Sequence, residues 1–137
     1  MRTKTLLTIS ASIELATGIA VILSPRLVAN VLLSAEPAPA GEALGRVGGC
    51  GLVSLAIACW PRGACLPGER DHEQPTRALF LYNFLAACYL SYLGISGDFA
   101  SPFLLPAAAL HVVLTLLFIR PVYQTAAGRL PLSSKNP

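Results

Sequence analysis

Four runs of apolar residues divide the chain, at about 6–23, 44–60, 78–95 and 103–119. Polar residues are few in each run, and no run alternates polar with apolar along its whole length, although Thr8, Ser10, Ser12 and Glu14 do so locally in the first. Each run approaches the ~20 apolar residues that cross a bilayer core. Lipid offers backbone groups no water, so a span is a helix or a closed barrel, and barrel strands alternate polar with apolar. The runs therefore predict helices. Their ends carry the matching punctuation. Pro25 follows the first run and Trp60-Pro61 the second. Asp71, Glu73 and Pro75 precede the third, where acid suits the positive end of a helix dipole. Gly94 and Gly97 follow it, and Ser101-Pro102 reads as an N-cap and first-turn proline for the fourth. Pro106 lies in that helix's first turns, where a missing N–H costs little, and Arg120-Pro121 closes it. The pattern predicts an all-α fold: one domain, residues 1–137, forming an up-down-up-down bundle of four transmembrane helices. Residues 26–33 either extend the first helix past a proline kink or lie flat on the membrane surface. Residues 36–41 read as a Pro/Ala loop and 130–137 as a tail.

Composition narrows the class. The chain is 54% hydrophobic and 12% charged, against about 25% charged in ordinary soluble domains, and its mean hydropathy is +0.62. A small soluble domain has too much surface to clothe with so few charges. The same numbers exclude disorder, and a net charge of +3 without a dense basic face excludes a nucleic-acid binder. Lys and Arg set the direction. With the N-terminus inside, the inner side collects Arg2, Lys4, Arg62, Arg70, Arg77, Arg120, Arg129 and Lys135, and the outer side keeps Arg26, with Arg46 near its edge. That asymmetry predicts a cytoplasmic-membrane protein with both termini in the cytoplasm. Trp60 and Tyr123 then fall at the inner interface and Tyr92 near the outer one. Glu14 interrupts the first run, and Ala38-Pro39-Ala40 lies far from the start, so this run reads as a span and not as a cleaved leader.

Each run holds one strongly polar residue: Glu14, Arg46, Asn83 and His111. Such groups in lipid normally face the bundle interior. Glu14 shares a helical face with Ser10, Thr17 and Gly18; Arg46 shares one with Cys50. Asn83 lines up with Ala87 and Ser91, and His111 with Ala107, Ala108 and Thr115. A helix rises about 1.5 Å per residue, so Glu14 and His111 each lie about 12 Å from the nearer helix end, close to mid-membrane. Asn83 lies about 8 Å and Arg46 about 3 Å from an end. Glu14 and His111 are the expected pair, with Asn83 as a third member; Arg46 either reaches inward to Glu14 or snorkels to headgroups. Holding helices in register is the structural alternative. Intramembrane polar contacts stabilise by about 0.6 kcal/mol on average, while inserting an ionisable side chain costs about 2.5–3.5 kcal/mol. The mismatch favours a function. A carboxyl and an imidazole suit acid–base work on a small lipophilic molecule, or a proton step in transport. Tyr82 and Tyr89, seven apart on the third run, are candidates to line a pocket for such a molecule, with ordinary core the preferred reading.

Gly41, Gly45 and Gly49 recur every four residues. Small residues at that spacing let helix backbones approach, and contact inside the bundle is favoured over a homodimer seam. Cys50, Cys59, Cys65 and Cys88 form no C-x-x-C and read as small apolar residues. Asp71-His72-Glu73 reads as a solvated loop, so no metal site is expected. Gly48-Gly49-Cys50-Gly51 follows no strand and is no nucleotide fingerprint. No cofactor is indicated.

The segment Ser12-Ile13-Glu14-Leu15-Ala16-Thr17-Gly18-Ile19-Ala20 with the following Pro25 resembles the first helix of DoxX-like small membrane proteins. These are bacterial four-helix proteins whose first helix often carries a glutamate and, about one turn later, a glycine. The resemblance implies a bacterial cytoplasmic-membrane protein near redox or thiol metabolism and delivers no activity. The leading expectation is an accessory or interaction component with a buried polar cluster. Its partners would be the lipid bilayer and a second copy or a larger membrane complex. An intramembrane enzyme or binder of a lipophilic molecule using Glu14 and His111 stays open, as does a small proton-coupled transporter.

Overall fold

The structure, a computed structural model, describes residues 3–61, 72–97, 99 and 101–127. Five helices make it up: α1 (Thr3–Leu23), α2 (Pro25–Leu33), α3 (Pro39–Ala58), α4 (Glu73–Ser96) and α5 (Leu104–Ala127). No strand occurs among the described residues. Three helices are long and apolar enough to cross a membrane: α1, α4 and the Leu104–Gln124 part of α5. Glu42, Arg46 and a run of glycines lower the hydropathy of α3, which does not join them.

Several boundaries differ from the sequence reading, mostly at prolines. α1 ends at Leu23, just before Pro25 as expected, but Pro25 itself opens α2 at the first helical position, after Ser24 turns the chain at φ −146° and ψ 70°. Residues 26–33 thus belong to a separate short helix, which Ser34 closes in the left-handed region at φ 52°. Pro39 likewise opens α3 earlier than residue 44. The missing N–H of a first-turn proline would have no partner inside the helix, so a proline starts helices there without penalty. Pro75 sits in the first turn of α4, which begins at Glu73 rather than at 78. Pro121 lies inside α5, which continues to Ala127 beyond the expected stop at Arg120-Pro121. One lost backbone bond does not end a helix whose neighbouring turns keep theirs.

Buried positions form helical stripes. In α1 they are Leu7, Ala11, Glu14 and Gly18, with Leu6 and Ser10 beside them. In α4 they are Thr76, Leu79, Asn83 and Ala87. In α5 they are Leu104, Ala108, Leu114, Thr115 and Phe118. The three-and-four spacing is what a 3.6-residue turn needs to keep one face inward. Leu6 and Leu7 of α1, Cys59 after α3, Leu79 of α4, and Leu114 and Phe118 of α5 make one apolar core. Leu6, Leu7 and Leu79 lie in the first turns of their helices, Cys59 just past the end of α3, and Leu114 and Phe118 in the middle of α5. α1 is the hub, and α4 pairs closely with α5. α3 lies along α1 and α2, and reaches the core at its C-terminal end through Leu55 and Cys59.

α1 and α3 cross on two glycines. A methyl on Gly49 would stand 2.8 Å from the Gly18 carbonyl oxygen, and one on Gly18 would stand 2.9 Å from that of Gly49. Gly45 faces Pro25 and Val21, whereas Gly41 meets only Pro37. Gly48 and Gly51 open onto free space.

The far end is tied by polar contacts. Arg26 of α2 pairs with Glu42 of α3. The Glu42 hydrogen bond and charge hold the guanidinium above its ordinary range, with a smaller contribution from Glu36. Ser101 donates to the Val31 carbonyl at 2.5 Å and accepts from the Phe103 N–H at 3.2 Å. One hydroxyl thus caps the entry to α5 and clamps α2. Ser101→Ala is expected to lose about 1–2 kcal/mol, the usual worth of a cap plus a hydrogen bond, read as a lower thermal midpoint.

Candidate functional site

Ser10 and Glu14 of α1, Tyr82 and Asn83 of α4, and His111 of α5 meet where the three helices come together. Asn83 is fully buried and is the centre of the group. Its Nδ2 donates to the Leu79 carbonyl at 2.8 Å and to Ser10 Oγ at 3.2 Å. Its Oδ1 lies 2.9 Å from His111 Nδ1. A carbonyl only accepts, so the bond to Leu79 fixes which way the amide points. Oδ1 can then only accept from His111, and Nδ1 must carry the hydrogen. Nε2 remains as the ring atom able to take up or release a proton. Thr115 donates to the His111 carbonyl at 2.8 Å, a local bond that spares a hydroxyl from facing an apolar surrounding unpaired.

Glu14 is 1% exposed. Tyr82 offers its phenol to the carboxyl group as a hydrogen-bond partner, while Oε1 is buried with no partner. The Tyr82 ring stands edge-on to His111, at 78° and 5.9 Å between centroids. Tyr82 therefore links the carboxyl group on α1 to the imidazole on α5.

Three of the four sequence candidates, Glu14, Asn83 and His111, come together. The expected direct pairing of Glu14 with His111 does not form: His111 bonds Asn83, and Tyr82 stands between. Depth arithmetic places residues at one level and leaves their direction around the helix open. Arg46 is exposed on the outer side of α3 and forms no ion pair among the described residues, so it does not reach Glu14. Thr17 is also exposed, although it was expected on the Glu14 face. The core reading fails for both tyrosines: Tyr89 is exposed, and Tyr82 joins the site, its sequence signal being a hydroxyl that needs a partner in a dry interior, directly before Asn83.

Between α4 and α5 lies an apolar groove of about 330 Å³. Ala87 and Thr115 form part of its wall, one turn from Asn83 and His111 respectively. Cys50 and Cys88 are exposed and Cys59 is buried. Cys65, Asp71, Arg2, Arg62, Arg70, Arg129 and Lys135 lie outside the described residues. Among those described, no three His, Cys, Asp or Glu side chains cluster as metal ligands would. Comparison with protein-family models, curated proteins and solved structures finds no match to this chain.

Proposed function

We propose that the chain is a multi-pass protein of a bacterial cytoplasmic membrane, with both termini inside. It works as an accessory or interaction component, presenting helix faces to a second copy or to a larger membrane complex. The three apolar helices support the membrane, the Lys and Arg distribution the orientation, and the DoxX-like first helix the bacterial setting. One observation carries the interaction reading. α3 packs mainly along α1, touches α2 and meets the core at its C-terminal end, leaving Leu44, Val47, Gly48 and Gly51 open on its outer side. In a closed four-helix bundle that side would be partly covered. Small residues on a bare helix let another backbone approach, which is how helices associate where lipid removes the hydrophobic drive. Mild-detergent extraction of the tagged full chain, followed by native mass spectrometry, should yield a dimer or a defined complex. Val47→Trp, on the bare side, should disperse it. A strictly monomeric chain that is indifferent to Val47→Trp overturns the reading.

A second reading rests on Glu14. Glu14 Oε1 is a buried acceptor without a partner, and a ligand that donates a hydrogen bond would satisfy it. Under that reading a small lipophilic molecule bearing a hydrogen-bond donor sits against Oε1. The wild type would retain it through purification and Glu14→Ala would not, as mass spectrometry of a solvent extract would read.

A further inference from the structure

We infer that α2 is a membrane-surface helix: its Leu27 and Val31 edge sinks among the acyl chains of a zwitterionic phospholipid layer, and its Arg26 and Asn30 edge faces the headgroups. The inference rests on the membrane reading above, in particular on α1 being a span.

Connectivity is the first support. α1 ends at Leu23 and α2 begins at Pro25, with Ser24 alone between them turning the chain. The 21 residues of α1 rise roughly 30 Å, which is the thickness of a bilayer core. A helix starting one residue after such a span starts at the membrane boundary.

The shape of α2 is the second. Pro25 is buried, and Val28, Ala29, Leu32 and Leu33 are half-buried against the protein. The exposed residues fall into two pairs with i, i+4 spacing: Arg26 with Asn30, and Leu27 with Val31. The helix therefore has three sides, one on protein, one polar and one apolar. Leu27 is 62% exposed and the adjoining Leu23 76%. Water alone would leave this apolar edge uncovered, and full insertion would desolvate Arg26, whose side chain is 75% exposed. A boundary position satisfies both edges.

Charge specifies the lipid. Arg26 is paired with Glu42, and Glu36 adds a second acid nearby. The polar edge is therefore close to neutral, so an anionic lipid has no special hold on it. The Ser101 bond to Val31 and the Arg26–Glu42 pair fasten α2 to α5 and α3, so the helix docks as part of the fold.

Trp60 is the chain's single tryptophan, so Trp60→Phe leaves a silent background for one reporter at a time. The full chain would be reconstituted in phosphatidylcholine vesicles carrying bromines near the headgroup or near the chain ends. Leu27→Trp should be quenched about twofold more by shallow than by deep bromines, as a helix face sunk about 5–10 Å requires. Asn30→Trp should instead be quenched by aqueous iodide. Val113→Trp, on the exposed side of mid-α5, should be quenched best by deep bromines. Adding phosphatidylglycerol should change none of these depths. Val31→Trp repeats the Leu27 measurement if that variant folds poorly. If Val113→Trp is quenched but Leu27→Trp and Val31→Trp respond only to iodide, α2 stands in water and the inference falls. Deep quenching at Leu27→Trp equal to that at Val113→Trp also overturns it, because α2 is then inserted. If Val113→Trp itself escapes every bromine, the membrane reading has failed rather than the placement of α2.

Discussion

Gly49→Ala should lower the stability of the protein by about 1–3 kcal/mol, the cost of forcing a methyl into a packed contact, while Gly48→Ala should leave it unchanged or slightly higher. Both sites lie in mid-α3, and both substitutions gain the same helix propensity. They differ in what the new methyl meets. At Gly49 it stands 2.8 Å from the Gly18 carbonyl oxygen and 3.1 Å from the Ile22 backbone nitrogen. Those atoms are main chain, so relief requires α1 and α3 to move apart. At Gly48 the methyl meets nothing within 4 Å. Gly18→Ala should resemble Gly49→Ala, because the same crossing is probed from the other helix. The double variant should cost less than the sum: once the first methyl has parted the helices, the second finds room. Thermal or SDS-driven unfolding of the purified chain in micelles reads all four. Equal stability of Gly49→Ala and Gly48→Ala would show that α1 and α3 do not cross on these glycines.

The sequence reading reached the stripes before it reached the contacts. Apolar runs and their punctuation marked all four long helices, because helix length and inward face follow from local spacing. Proline positions misled because one residue type serves two geometries. Pro25 after an apolar run fits a kink as well as a helix start, and the break at Ser24 decides between them. Rise per residue brought Glu14, Asn83 and His111 to neighbouring levels, and the fold brings them together. Which pairs with which depends on rotation about each helix axis, set by packing with the other helices. α3 turns its Gly45 and Gly49 side to α1, and that rotation leaves Arg46 outside. The glycine spacing beside Arg46 already carries that choice, because with Gly45 and Gly49 inward the next residue turns away. Tyr82 was hidden because its role depends on facing Glu14 across a helix–helix contact.

Asn83→Leu should cost about 2 kcal/mol, since it leaves buried partners unpaired, whereas Glu14→Met should cost nothing or stabilise the fold. Both substitutions keep most of the side-chain volume. Asn83 joins Leu79, Ser10 and His111 through bonds of 2.8, 3.2 and 2.9 Å. Leucine orphans His111 Nδ1, whose direction Asn83 alone fixes among the described residues. Ser10 turns to a backbone carbonyl of its own helix, so the total loss stays modest, as it does for polar contacts in membranes generally. Glu14 differs because one of its oxygens already lacks a partner. Methionine removes that buried unpaired acceptor, worth about 1–3 kcal/mol, and leaves the hydroxyl of the half-buried Tyr82 without its partner, a cost of about 1 kcal/mol that the gain offsets because Tyr82 is only partly buried. Unfolding at neutral pH in the same micelles would rank the two. If Glu14→Met falls as far as Asn83→Leu, the five residues form one structural staple and the ligand reading loses its support. If Glu14→Met is as stable as the wild type, the fold does not require a carboxyl group inside α1. Its presence there is then tied to a molecule or a proton that reaches it from outside the chain.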